Sequence, residues 1–163
     1  MSRSRVFVLS LLVACAVVPT PARQASQGHP NFSGIWYLVE DRSITQQQGE
    51  PVVVSVWPSP LRVRHGRERL VIGIDTEQPT ARSYRLDGQA TVNKVTSPSG
   101  EHETISRATW EGERLVITER SKEEDGEDET VRRLALNADG TLSVEAPWGD
   151  GGAFVASVYA RSR

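Results

Sequence analysis

Residues 110–120 read Trp-Glu-Gly-Glu-Arg-Leu-Val-Ile-Thr-Glu-Arg, and this stretch decides the fold. Glu111-Gly112 is a turn dipeptide, because glycine accepts the positive φ that tight hairpin turns demand. Beyond it, Leu115 and Ile117 fall two residues apart, so they share one face of an extended chain while Arg120 falls on the other. A turn followed by apolar alternation is half of a β-hairpin.

The same unit recurs in both directions. His65-Gly66, Asp87-Gly88, Asp125-Gly126 and Asp139-Gly140 punctuate runs rich in Val, Ile, Leu and Thr. Leu70, Ile72 and Ile74 share a face, as do Leu134 with Leu136, Leu142 with Val144, and Phe154 with Val158, whereas Arg133 and Glu145 fall on the opposite one. The spacing predicts strands over 34–39, 52–56, 61–65, 69–75, 81–86, 90–95, 103–110, 114–120, 129–137, 141–145 and 153–161. Gly66–Gly73 echoes Gly112–Thr118, which any hairpin ending in Leu-Val-Ile would do. A sheet with one apolar face must close on itself or pack on a second sheet, and short sequential hairpins favour closure, which also removes exposed edges. The expected fold is all-β, an antiparallel up-and-down β-barrel of about 8–10 strands.

Ahead of it, Arg3 and Arg5 precede an apolar stretch from Val6 to Val18, and Thr20-Pro21-Ala22 ends the segment: a secretory signal peptide over 1–22. A short flexible linker follows at 23–30, then the barrel domain at 31–163. The expected location is the periplasm or the cell exterior. Leu12-Val13-Ala14-Cys15 also resembles the bacterial lipobox, which would make Cys15 a lipid attachment point and the protein a membrane-anchored lipoprotein; the apolar run beyond Cys15 favours ordinary cleavage. No later segment has the length of a membrane-spanning helix.

Loss of Arg3 and Arg5 with the leader takes the formal charge from −2 to −4, which argues against a nucleic-acid partner. Cys15 is the only cysteine, so the mature domain has no disulfide, cysteine nucleophile or cysteine metal site, and its stability rests on packing and hydrogen bonding.

Four ordered elements carry a family resemblance. Phe32-Ser33-Gly34-Ile35-Trp36-Tyr37-Leu38 resembles the first strand of the lipocalin, fatty-acid-binding and avidin group of barrels, in which Gly-x-Trp lays a tryptophan across one barrel end. With Tyr84-Arg85-Leu86-Asp87-Gly88, Trp110-Glu111-Gly112-Glu113-Arg114-Leu115 and Val158-Tyr159-Ala160-Arg161, the chain is similar to bacterial secreted lipocalin-like proteins of unknown role. The resemblance implies that Gly34, Trp36 and Arg161 close one end, with Arg161 stacked over the Trp36 ring.

Catalysis finds little support. His29, His65 and His102 are far apart, and the last two flank turns, which reads as exposed. Ser97-Pro98-Ser99-Gly100 is a loop, and Lys122-Glu-Glu-Asp-Gly-Glu-Asp-Glu129 lacks the alternating ligands of a calcium loop. Arg62, Arg64, Arg67 and Arg69 form a basic hairpin end. No enzyme activity, cofactor or metal is expected. Small residues at Ser83, Ser106, Ala108 and Ser157 suggest interior room, and Trp57, Tyr84, Trp110 and Trp148 are the candidate ligand-binding residues, Trp148 from an exposed glycine-rich loop. The expected function is non-catalytic binding of a small apolar or amphipathic molecule in the cup. The alternative is an inhibitor-like barrel that binds a protein through its loops or rim.

Overall fold

A computed structural model of the chain describes residues 28–74, 80–97, 100–123, 126–148 and 153–162. The expected leader with Cys15, most of the 23–30 linker and part of the acidic tip lie outside these residues. The strands are β1 (Gly34–Leu38), β2 (Ile44–Gln47), β3 (Glu50–Val53), β4 (Leu61–His65), β5 (Arg69–Ile74), β6 (Thr80–Arg85), β7 (Thr91–Ser97), β8 (Gly100–Glu111), β9 (Arg114–Glu123), β10 (Gly126–Leu136), β11 (Leu142–Trp148) and β12 (Ala153–Arg161), with one short 3-10 turn at Glu40–Arg42. Among the described residues, no helix is long and apolar enough to cross a membrane.

Ten strands form one antiparallel sheet in the order β6-β5-β4-β1-β12-β11-β10-β9-β8-β7, and β2 and β3 pair separately. The sheet rolls into a nearly closed up-and-down barrel. Gly88, Gly112 and Gly140 take the positive φ that their turns require, at 77°, 64° and 80°. The alternation puts Leu61, Val63, Leu70, Ile72, Leu115, Ile117, Leu134, Leu142 and Val144 inside, in one core with Trp36, Tyr84 and Tyr159. The edge strands β6 and β7, neighbours in sequence, are bridged by side chains. Asn93 Oδ1 accepts from the Ser83 backbone N–H at 2.8 Å, and its Nδ2 donates to the Ser83 carbonyl at 3.1 Å. The amide stands in for a peptide group of a neighbouring strand. The Thr91 hydroxyl accepts from the Arg85 N–H at 3.3 Å.

The base of the barrel is the end with the short turns and the start of β1. Trp36 pairs with Arg161 in register, and the Arg161 guanidinium lies 4.7 Å from the Trp36 ring centroid. Trp36 is fully buried, with Nε1 donating to the Phe32 carbonyl at 2.9 Å. Gly34 is required beside them: its φ is +152°, and a Cβ there would sit 3.2 Å from Arg161 Nε.

The segment between β1 and β4 was expected to hold a single strand at 52–56. It forms the β2–β3 hairpin and then a strap, Val54 to Trp57, that crosses inward-facing side chains of β12. Ser157 Oγ donates to the Val54 carbonyl and accepts from Val56 N–H, each at 2.8 Å. Tyr159 Oη donates to the Trp57 carbonyl at 2.6 Å and accepts from its N–H at 3.0 Å. The strap satisfies its backbone groups against β12 rather than in a ladder, because the chain needs them paired once they are buried. Its partners Ser157 and Tyr159 lie in register with Val144 and Leu142, in the first half of β11; the second end of the barrel, where β4 begins and β11 ends, is the rim.

Candidate functional site

Between the apolar base and the strap lies a charged layer. Period-2 alternation carries the inward face from Leu115 and Ile117 to Glu119, from Leu134 to Arg132, and from Tyr84 to Arg82. Cross-strand register sets Glu119 opposite Ser106 and Thr130, Arg132 opposite Ile117, and Arg82 opposite Ile72. Glu119 Oε2 accepts from Arg82 Nη1 at 2.8 Å and also from Arg132 Nη1. Glu119 Oε1 accepts from the Tyr84 hydroxyl at 3.0 Å, with the Ser106 hydroxyl at 3.5 Å. Ser106 in turn accepts from Asn93 Nδ2 at 3.1 Å, so the charged layer is wired to the seam.

Burial raises the Tyr84 phenol well above its ordinary pKa, reinforced by the charge of Glu119, so Tyr84 stays protonated and donates. Side-chain exposure is 5% at Glu119, 20% at Arg82 and 16% at Arg132. Two guanidinium groups thus share one carboxylate in a poorly hydrated interior, leaving an excess of one positive charge. Nε of both Arg82 and Arg132 is buried and finds no hydrogen-bond partner among the described residues. A buried donor left unpaired costs about 1–3 kcal/mol, more when charged, so these two atoms are held at a loss. Trp57, at the end of the strap, places its ring 5.5 Å from the Arg132 guanidinium carbon.

The four expected ligand residues do not form one site. Tyr84 and Trp57 both meet the charged layer, through Glu119 and Arg132. Trp110 lies at the opposite end, in the base. Trp148 ends β11 at the rim with 36% exposure, paired with Ala153. Of the small residues, Ser106, Ala108 and Ser157 are buried inside. Ser83 faces outward, in register with Val71, and accepts from Arg69 Nη1 at 3.0 Å. It is excluded from the interior by the same alternation that puts Arg82 and Tyr84 in.

The base carries a concavity of about 670 Å³, lined by His29, His65, Arg67, Arg69, Arg85 and Trp110 among others. The His29 and Trp110 rings stack at 4.0 Å, and Phe32 stacks on both His65 and Trp110. His65 is therefore not the exposed turn residue expected from Gly66. The N-terminal arm folds back over it, and its Nδ1 accepts the Phe32 backbone N–H at 3.2 Å. Burial, with a smaller contribution from His29, lowers its pKa below the ordinary imidazole value. The unfolded chain then takes up the proton first. The stabilisation is present above about pH 6.5 and is lost as pH falls through that value towards the lower folded one. The thermal midpoint of the wild type should drop between about pH 7 and 5 by more than that of His65→Gln, which keeps an acceptor without titrating. Parallel curves for the two proteins would show that His65 does not couple to folding.

Sequence reasoning missed Glu119, Arg82 and Arg132. The signal was present: each continues an apolar period-2 row, where a charged residue is placed inside by register whatever its polarity. Among the described residues no group of three metal-ligating side chains comes together. No protein-family model matches the chain, and no curated protein matches it.

Proposed function

We propose that this chain is an exported, non-catalytic barrel of the lipocalin-like kind that binds a small amphipathic molecule inside, between the charged layer and the strap. The observation that carries the reading is the pair of buried arginine Nε–H donors. Purely structural ion clusters gain by satisfying all their donors, whereas a recognition site holds some in reserve for its ligand. Trp57 and Tyr84 supply aromatic wall beside those donors. The apolar leader supports a periplasmic or secreted location.

Native mass spectrometry of the protein recovered from its own compartment tests this. The expected result is a mass above that of the processed chain, with the excess released on denaturation. Recovery of the bare processed chain alone would remove the small-molecule reading. It would leave the second one, a barrel that binds a protein at its rim, which is supported by exposed Trp148 and by the cross-strand pair Ile44 and Val53, both half exposed on the β2–β3 hairpin.

A further inference from the structure

We propose that the concavity at the base is a second binding site, taken by a flat aromatic ring that carries an anionic group. The ring replaces His29 on the face of Trp110, and the anion meets Arg67 and Arg69. The site shares no residue with the charged layer, so it stands or falls apart from the interior reading. Its charge is the first observation. Arg67, Arg69 and Arg85 line it against Glu68 and Asp87, an excess of one positive charge with both imidazoles neutral. The chain as a whole carries a formal charge of −2. A concave surface of one sign draws in ions of the other. Asp87 is already taken by Arg85, whose Nε donates to Oδ1 and Nη2 to Oδ2. Arg69 donates Nη1 to the neutral Ser83 hydroxyl, and Arg67 has no hydrogen-bond or ion-pair partner among the described residues. Two exposed guanidinium groups therefore line the concavity with no carboxylate on them.

The second observation is an occupied ring slot. The His29 imidazole lies parallel to the Trp110 indole, at 4.0 Å between centroids and 6° between planes. That is the contact distance of two flat rings, so this face of Trp110 accepts one. His29 itself is exposed and makes no hydrogen bond among the described residues. A single ring stack in water holds it weakly, and a ligand ring displaces it. The residues behind stay in place: Phe32 is fully buried, and its backbone N–H and the Ser33 hydroxyl are both tied to His65. The turns are fixed too. Leu86 N–H donates to the Glu68 carbonyl and Gly66 N–H to the Arg69 carbonyl, each at 2.9 Å. The backbone that carries Arg67, Arg69 and Arg85 is thus set before a ligand arrives, which limits the ordering cost of binding. An inorganic anion leaves the Trp110 face unused, and a neutral ring leaves Arg67 and Arg69 unused; an aromatic anion uses both.

Isothermal titration calorimetry of the processed protein with 2-naphthyl phosphate, 2-naphthalenesulfonate and 2-naphthol tests the assignment. Both anions are expected to bind at least about tenfold tighter than the neutral naphthol, because only they use the arginines. A phosphate tighter than the sulfonate identifies a phosphate ester as the class, and equal values identify an aromatic monoanion. Replacing Arg67 and Arg69 together by glutamine should bring both anions down to the naphthol value and leave naphthol and the melting temperature nearly unchanged, since both side chains are exposed. His29→Ala frees the Trp110 face and should tighten all three probes about threefold. Trp110→Leu should weaken all three; should it fail to fold, His29→Ala still reports on the ring slot. Equal affinity for anions and naphthol, or anion binding that the double arginine variant leaves unchanged, would overturn the site. Binding of none of the three probes would overturn it as well. Binding that ignores both His29→Ala and the double variant lies in the interior: it overturns the base site and leaves the barrel reading, which the mass measurement above decides, untouched.

Discussion

Replacement of Glu119 by leucine should destabilise the barrel by about 3–5 kcal/mol, the range for removing one partner of a buried ion pair. The penalty comes from what remains rather than from the lost bonds. Arg82 and Arg132 stay buried, now facing each other across an apolar side chain with Nη1 as well as Nε unpaired, and Tyr84 loses its acceptor. The triple replacement Arg82→Met, Glu119→Leu and Arg132→Met removes all three charges at similar volume, and it should recover most of that loss or exceed the wild type. Urea unfolding of the two variants measures both effects. A small loss in Glu119→Leu, below about 1 kcal/mol, would mean that water reaches the arginines freely and that the layer is not dry.

The second large effect belongs to the base. Trp36→Ala empties the position of the largest fully buried side chain, and the range for such truncations is about 3–5 kcal/mol. It also releases the Phe32 carbonyl and removes the ring under Arg161. Arg161→Met isolates the last of these: it keeps the side-chain length beside Gly34 and should cost only about 0.5–2 kcal/mol, the value of a cation–π contact. If the two variants unfolded at the same denaturant concentration, the guanidinium rather than the indole would be the anchor of the base.

The barrel was legible because its determinants are local. Gly88, Gly112 and Gly140 mark turns by their own backbone requirement, and alternation over a few residues set the inward faces of β4, β5, β9, β10 and β11. The strap was not legible. Residues 44–57 include five glutamine, glycine and proline breaks in the pattern, Gln46 to Gly49 and Pro51, and the partners that hold the strap, Ser157 and Tyr159, lie about a hundred residues away in sequence. The fate of His65 escaped for the same reason, since Phe32 and Trp110, whose rings pack beside it, lie more than thirty residues away in sequence. The charged layer is a different case. Hydropathy assigns a glutamate to the wet face and register assigns it to the dry one; where the two conflict inside a run of Leu and Ile, register wins, because a one-residue slip would expose the whole row. Such conflicts are where a sequence departs from stability for the sake of something else.

Where the ladder breaks bears on how the chain assembles. β1 and β12, from opposite ends of the domain, are zipped together in the middle of the sheet, while its two free edges fall between β6 and β7, which are joined by a five-residue turn. From β7 to β12 every pairing is a local hairpin and forms with little loop entropy to overcome. The β1–β12 ladder instead closes a loop of more than a hundred residues, so contact order places it late in folding. It also leaves the two chain ends of the barrel side by side, with the Ser162 N–H bonded to the Ile35 carbonyl at 2.8 Å. A circularly permuted chain that began at Thr91 and ran through joined ends to Arg85 would turn the β1–β12 ladder into another hairpin and leave β1–β4, which spans the β2–β3 hairpin and the strap, as the longest-range pairing of the barrel.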